Sequence, residues 1–246
     1  MKTLGIIPAR YASTRFPGKP LADLNGKSLI QRVYERVMAA PALDEVVVAT
    51  DDQRIFDHVL AFGGKVHMTS ETHQSGTDRC AEVALSFPDC EVVLNVQGDE
   101  PFLDYEQIEK VANPLRRGLA QIATLAMPIR DEAELFNPNV VKVVFNAQKL
   151  ALCFSRSTIP YLRNFPQEEW LAQGAHYRHI GLYGYLRSTL LEIAPLPLAE
   201  LEKLEALEQL RWLYHGKSIY VELTDQAIVG VDTPEDLEKA KTFLNL

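Results

Sequence analysis

Residues 5–21 read GIIPARYASTRFPGKPL, and this stretch decides the fold. A short apolar run ends at a loop that holds Ser13, a glycine and three cations, namely Arg10, Arg15 and Lys19. Small residues let the backbone approach phosphate groups, and the cations neutralise them. The pattern favours a triphosphate site at the carboxyl end of a first strand over a merely basic surface loop. It is not the common P-loop, because Lys19 is followed by proline, and no G-x-G-x-x-G is present.

Composition limits the class of protein. The chain has 246 residues, 47% of them apolar, which is enough for one large α/β domain. Its formal charge of −8 argues against a nucleic-acid binder, although a local group of cations can still bind a small anion. Cys80, Cys90 and Cys153 form no C-x-x-C motif, so neither a disulfide framework nor a zinc site is indicated. Without a signal-peptide pattern or a long apolar stretch, we expect a cytoplasmic protein.

Strand-like and helix-like patterns alternate along the first half. This alternation predicts an α/β fold with a Rossmann-like, mostly parallel sheet and helices on both faces. The predicted strands are 3–7, 45–49, 65–68, 92–96 and 122–127, and the predicted helices are 28–39, a segment ending at 62, 78–87 and 104–117. Ligands of such sheets bind beyond the carboxyl ends of the strands, where the basic loop lies.

The second half changes character. Strand-like runs occur at 140–145, 150–155, 178–185 and 218–223, and helical patterns at 200–214 and 233–243. We interpret these as a smaller mixed α/β lobe that covers the cleft or mediates dimer contacts. The glutamates of 200–208 read mostly as a solvated helical face. The chain is thus predicted to form a single domain with a nucleotide-binding part (1–130), a second part (131–225) and a C-terminal segment that returns to the site (226–246).

Two carboxylates are candidate metal ligands. Asp99 lies in the turn VQGDEP at 96–101, and Asp232 lies in GVDTPEDL at 230–237. Mg²⁺ takes few protein ligands and prefers carboxylate and phosphate oxygens. Taken alone, Asp99 is also a credible turn residue and Asp232 a credible helix cap.

Four further segments carry polar side chains that a ligand site could use. Residues 73–79 (HQSGTDR) are either a helix cap by Ser75 or Thr77, or a loop that reads a base or ribose. Residues 178–185 (RHIGLYGY) hold either a ligand site or a core histidine with packing tyrosines. Residues 154–160 place Arg156 at a strand end, and 207–213 place Glu208 and Gln209 on an amphipathic helix.

Together these motifs resemble one family. PARYASTRFPGKPL, HQSGTDR, QGDEP, SRSTIP, RHIGLYGY, LEQLR and GVDTPEDL follow in order from residue 8 to residue 237. The chain resembles the 3-deoxy-manno-octulosonate cytidylyltransferases, also called CMP-Kdo synthetases. The resemblance implies the nucleotide-diphospho-sugar transferase fold and the reaction of CTP with 3-deoxy-manno-octulosonate (Kdo) to give CMP-Kdo and pyrophosphate. It also implies Mg²⁺ and a cytoplasmic homodimer that serves lipopolysaccharide synthesis.

The resemblance assigns roles by position. It implies phosphate binding and catalysis by Arg10, Arg15 and Lys19, nucleotide binding by Ser13, His73, Ser75, Gly76 and Thr77, and Mg²⁺ binding by Asp99 and Asp232. It implies binding of the sugar acid by Gln97, Arg156, His179, Tyr183, Glu208 and Gln209, and it makes the second part of the chain the sugar-binding and dimerisation part. The alternatives are a cytidylyltransferase for a related acidic sugar, such as 8-amino-Kdo or a sialic acid, and a non-catalytic nucleotide-binding regulator.

Overall fold

The computed structural model describes residues 1–12, 16–226 and 230–243. Within these ranges nine strands form one sheet, in the order β3-β2-β1-β4-β8-β5-β9, with β6 paired to β7 and β8. The strands are β1 Lys2–Ala9, β2 Glu45–Thr50, β3 Val66–Met68, β4 Cys90–Asn95, β5 Ile122–Pro128, β6 Lys142–Phe145, β7 Ala151–Ser155, β8 Tyr177–Leu186 and β9 Tyr220–Leu223. The helices are α1 Leu29–Met38, α2 Gln53–Ala61, α3 Gly76–Leu85, α4 Tyr105–Arg116, α5 Glu132–Leu135, α6 Arg187–Ile193, α7 Glu200–Glu205, α8 Gln209–Tyr214 and α9 Pro234–Phe243.

The first half confirms the predicted α/β alternation. The central strand β1 is buried over most of its length and pairs in parallel with both β2 and β4. Because the three strands run in the same direction, their carboxyl ends share one edge of the sheet. The loop after β1 and the turn after β4 therefore meet at that edge.

Helices cover both faces of the sheet. On one face α1, α2 and α4 pack around Ile7, Val48 and Leu94. On the other face α3, α6 and α8 pack around Ile6, Val93 and Tyr185. A small third cluster joins the C-terminal helix α9 to the segment before α1 through Leu24, Leu29, Val231, Leu237 and Ala240. In the described ranges, no helix combines the length and the apolar character needed to cross a membrane.

Strands of the predicted mixed second part join the main sheet. Strand β8 lies between β4 and β5 and is antiparallel to both. Gly184 makes this position possible, because a Cβ there would lie 2.7 Å from side-chain atoms of Leu94 and Leu115. The hairpin of β6 and β7 joins the sheet at β8, and β9 extends it beside β5.

The single helix predicted over 200–214 is wrong. It is divided into α7 and α8 at Ala206, whose φ of 50° is left-handed and ends α7. The break changes the surroundings of the glutamates that the sequence placed on a solvated face. Glu202 is buried against Arg211, and Glu205 and Glu208 bond to residues of other elements.

Candidate active site

Three residues from distant segments converge at the carboxyl edge of the sheet. Lys19 Nζ lies 2.6 Å from Asp99 Oδ2 and 3.2 Å from Asp232 Oδ1. Lys19 begins a short 3₁₀ turn after Gly18, which has a φ of 71° and packs against the Tyr11 ring. Asp99 follows β4, and its carbonyl accepts a 2.9 Å hydrogen bond from the backbone N–H of Val231, which brings Asp232 to the same place. The basic loop and the turn that holds Asp99 therefore lie together at the carboxyl ends of the strands, and Asp232 joins them.

Glu100 adds a third acidic group that the sequence reading did not single out. Burial, together with the negative charges of Asp99 and Asp232, raises the pKa of Glu100 to about 8. Its Oε2 is buried and has no hydrogen-bond partner among the residues that the structure describes. The only sequence signal for Glu100 was its place directly after Asp99. At neutral pH this carboxyl is therefore mostly protonated, which limits the negative charge around Lys19.

Asp99 and Asp232 form an open pair of carboxylates and not a closed set of metal ligands. Both direct an oxygen to one cationic atom, the Lys19 ammonium. The described ranges contain no group of three or more His, Cys, Asp or Glu side chains arranged to hold a metal. Two carboxylates with remaining positions for water and phosphate oxygens suit Mg²⁺, which usually has few protein ligands.

The segment predicted to lie beside the base forms the start of α3. The Ser75 hydroxyl accepts a hydrogen bond from the Asp78 backbone N–H, and the Asp78 carboxylate accepts one from the Ser75 backbone N–H, so the capping interpretation is confirmed for Ser75. Gly76 packs against Pro8 and Asn95, where a Cβ would sit 3.5 Å and 3.6 Å from their atoms. This contact brings the start of α3 close to β1 and β4.

Two other residues of this segment are bonded to side chains elsewhere in the chain. His73 Nε2 contacts Glu82. The buried Thr77 donates its hydroxyl to Glu208 Oε2 at 2.6 Å, across 131 positions of sequence. The resemblance implied nucleotide binding for Thr77 and sugar binding for Glu208, and nothing in the sequence indicated that the two would touch.

Glu208 lies among buried polar groups. Burial is the largest effect on the pKa of Glu208 and raises it, while hydrogen bonds from Thr77 and Ser75 act in the opposite direction. Arg211 Nη2 lies 3.6 Å from Glu208 Oε1, but the main partner of Arg211 is Glu202, with contacts of 2.6 Å and 2.8 Å. Gln209, the next residue, is buried.

Strand β8 places His179 and Tyr183 on the same side as Glu208. His179 Nε2 lies 3.0 Å from the Thr124 hydroxyl, which itself donates to the carbonyls of Ile180 or Leu182 at 3.0 Å and 2.9 Å. The imidazole is thus assigned as the donor to Thr124. Burial lowers the pKa of His179 to about 3, so the ring is neutral at physiological pH. Burial also raises the pKa of Tyr183.

The remaining predicted site residues are bonded to other elements, exposed, or outside the described residues. Gln97 follows β4 and donates to the Gly181 carbonyl at 3.3 Å, which ties it to β8. Arg156 lies at the end of β7, where its guanidinium bonds to the carbonyls of Glu205 and Pro138 at 2.7 Å and 3.1 Å. Arg10 is exposed directly after β1. Ser13 and Arg15 lie outside the described residues.

Comparison with known proteins agrees with this architecture. The profile of the cytidylyltransferase family matches residues 4–219. A 3-deoxy-manno-octulosonate cytidylyltransferase of Parabacteroides distasonis is 55% identical, over 99% of this chain and 98% of its own length. The enzyme of the same name from Thermodesulfovibrio yellowstonii is 47% identical, over 100% of this chain and 99% of its own length.

Solved structures give the same result. A structure of CMP:2-keto-3-deoxy-manno-octonic acid synthetase complexed with CTP superposes with a TM-score of 0.91, at 43% identity, covering 100% of this chain and 99% of the other. A 4-diphosphocytidyl-2C-methyl-D-erythritol synthase of Anaerococcus prevotii shares the fold alone, with a TM-score of 0.62 at 16% identity over 100% of this chain and 99% of the other. The chain belongs to the cytidylyltransferase family, among the 3-deoxy-manno-octulosonate cytidylyltransferases.

Proposed function

We propose that the protein transfers a cytidylyl group from CTP to Kdo, releasing pyrophosphate and supplying CMP-Kdo for lipopolysaccharide synthesis. The observation that carries this proposal is the convergence of Lys19, Asp99 and Asp232 at the carboxyl edge of the sheet, in a chain that matches named CMP-Kdo synthetases over its whole length. A nucleotide-binding regulator would not need two carboxylates at the phosphate loop. A homodimer and a cytoplasmic location, both implied by the resemblance, stay predictions.

The reaction is an in-line displacement at phosphorus. The anomeric C2 hydroxyl of Kdo attacks the α-phosphorus of CTP, so an O–P bond forms while the bond to the pyrophosphate oxygen breaks. Lys19, with Arg10 and Arg15, binds and neutralises the phosphates, and positioning with charge stabilisation supplies most of the rate. Asp99 and Asp232 would hold Mg²⁺, which supplies charge neutralisation at the phosphates when bound.

The sugar acid is proposed to bind between β8 and the turn that precedes α8. His179 is neutral and therefore contributes hydrogen bonds and not charge. Arg156 directs three N–H groups to backbone carbonyls, which leaves two of its five donors for the carboxylate of Kdo. Gln97, Tyr183, Glu208 and Gln209 provide the mixed donors and acceptors that a polyhydroxylated sugar needs.

The direct test is pyrophosphate release with each of the four common nucleoside triphosphates, combined with Kdo, 8-amino-Kdo and a sialic acid. We expect turnover with CTP and Kdo and a requirement for Mg²⁺ that EDTA abolishes. Turnover with another sugar acid but not with Kdo would show that the substrate is that sugar acid. Nucleotide binding without any turnover would favour a non-catalytic nucleotide-binding regulator.

A further inference from the structure

The geometry points to Thr77 as a positioning residue for the sugar acid, acting through Glu208, and not as a contact to the nucleotide. This inference rests on the proposed function, because it names Kdo as the ligand that Glu208 serves. Thr77 lies in the segment beside the predicted base site, but its hydroxyl is directed at Glu208 Oε2, 2.6 Å away. Thr77 is 2% exposed, and its one hydroxyl proton is already donated to Glu208.

The bond fixes one oxygen of Glu208 and leaves the other without a hydrogen bond. Oε2 accepts from Thr77, and the Ser75 hydroxyl also acts on the carboxylate, whereas the buried Oε1 has no hydrogen-bond partner among the described residues and lies 3.6 Å from Arg211 Nη2. Arg211 cannot turn fully to Glu208, because two of its nitrogens are bonded to Glu202. Thr77, together with Ser75, therefore holds Glu208 in one orientation, with Oε1 still able to accept a hydroxyl.

The neighbours of Glu208 indicate what kind of ligand that oxygen accepts. The hydroxyl of Tyr183 is also buried, and the Thr124 hydroxyl beside it is already bonded to His179 and to backbone carbonyls. Tyr183 and Tyr185 both pack edge-on against Trp212, one turn after Glu208, and the charge of Glu208 helps to raise the pKa of both tyrosines. An unpaired acceptor beside a buried hydroxyl suits a sugar hydroxyl, which can donate to one group and accept from the other.

The Thr77 hydroxyl also favours the charged form of Glu208. Burial acts against that charge, and the hydrogen bond from Thr77 opposes the effect of burial. Without the Thr77 hydroxyl, Glu208 would keep only Ser75 and Arg211 as polar neighbours and would lose its 2.6 Å hydrogen bond and part of the stabilisation of its carboxylate. The expected consequence is weaker binding of the sugar acid while the phosphate site around Lys19 stays unchanged.

The test compares Thr77→Val, which removes the hydroxyl and keeps the shape, with Thr77→Ser, which restores the hydroxyl. For Thr77→Val we expect the KM for Kdo to rise roughly 10- to 100-fold, the range for a lost hydrogen bond to a charged group. The Kd for CTP from calorimetry should stay within about twofold of wild type, and Thr77→Ser should recover most of the KM. Thr3→Val is the matched control, since its buried hydroxyl also contacts a charged side chain, Arg116, away from the site.

A double-mutant cycle separates positioning from a general structural effect. If Thr77 acts through Glu208, Thr77→Val should add little to the KM effect of Glu208→Gln, whereas independent roles would make the two effects multiply. A CTP affinity that falls as much as the apparent Kdo affinity would overturn the inference, as would an unchanged KM for Kdo in an active enzyme. A wild-type protein that makes no CMP-Kdo would instead refute the proposed function itself.

Discussion

The Lys19 ammonium donates to Asp99 Oδ2 at 2.6 Å and so joins the basic loop after β1 to the end of β4. The same ammonium reaches Asp232, from the segment that leads into α9. One cation therefore connects parts of the chain separated by 80 and 213 positions of sequence. Because two carboxylates share this ammonium, removing a carboxylate and removing the ammonium should have different effects. We expect the first to lower turnover and the second to lower stability as well.

Asp99→Asn should bind CTP but lose turnover. The substitution keeps the backbone carbonyl that accepts from Val231, so the local fold should persist. Removal of one preorganised charge at the reacting phosphate should raise the barrier by about 3–4 kcal/mol, which is a loss of roughly 10²- to 10³-fold in kcat. Steady-state kinetics at saturating Mg²⁺, with CTP binding by calorimetry, measure both quantities. Asp89→Asn, at an exposed turn, is the control, and near-normal turnover of Asp99→Asn would remove Asp99 from the mechanism.

Lys19→Met should weaken CTP binding, lower turnover and make stability depend on Mg²⁺. Without the ammonium, Asp99 and Asp232 repel each other, and we expect a loss of about 1–2 kcal/mol in the free energy of unfolding, because the carboxylates are partly exposed. Mg²⁺ that binds only the folded protein should restore part of that loss.

Urea unfolding with Mg²⁺ and with EDTA tests this response. Lys27→Met is the control, because Lys27 forms a more exposed ion pair with Glu35 at the same 2.6 Å distance. Its stability should change little and should not respond to Mg²⁺. A Lys19→Met variant that loses its fold, by circular dichroism, would show that Lys19 is a structural residue.

Glu100 should make the metal-free protein less stable as the pH rises. Its pKa is about 8 in the folded protein, against a usual value of 4.5. Between these values the folded protein holds a proton that the unfolded chain has released, so the stabilisation is complete below pH 4.5 and is lost as the pH approaches about 8. Glu100→Gln mimics the protonated form and should flatten this part of the profile. Urea unfolding in EDTA between pH 4.5 and about 8 measures the free energy of unfolding, with the exposed Glu168→Gln as control. Parallel pH profiles for wild type and Glu100→Gln would contradict the raised pKa of Glu100.

Local sequence patterns predicted the first half well because its helices are capped by side chains that lie next to them in the sequence. Ser28, Asp52, Ser75 and Asp104 each cap the helix that follows them, and the parallel strands are continuously apolar. The meeting of the basic loop with Asp99 followed from one general rule about strand ends.

The pairing of the second half could not be predicted in the same way. The insertion of β8 between β4 and β5 depends on the fit of Gly184 under Leu94 and Leu115, which is a contact between distant segments. The break at Ala206 opposes the helical propensity of its own sequence, and it is held by tertiary bonds from Arg156. Sequence periodicity carries no information on either contact.

Arg156→Ala should raise the KM for Kdo and leave CTP binding nearly unchanged. Arg156 Nε donates to the Glu205 carbonyl at 2.7 Å, and its backbone N–H donates to the Glu205 carboxylate at 2.9 Å. These bonds fix the turn at Ala206 that leads directly to Glu208, in addition to any contact with the sugar carboxylate. Truncation removes the side-chain bonds to Glu205 and Ala206 and keeps the backbone one, so it should disturb the sugar site twice, by the loss of a donor and by weaker support of the turn. A KM increase of about tenfold or more is expected from steady-state kinetics.

Arg156→Lys should not rescue this loss, because an ammonium cannot reproduce the planar fork that meets several carbonyls and still leaves donors free. Arg163→Ala is the matched control, since Arg163 is exposed on the neighbouring segment. Calorimetric titration with CTP separates the two halves of the site. If Arg156→Ala lowered the affinity for CTP as much as it raised the KM for Kdo, Arg156 would belong to the nucleotide site. A full rescue by lysine would show that only its charge matters and that the bonds to the turn at Ala206 do not.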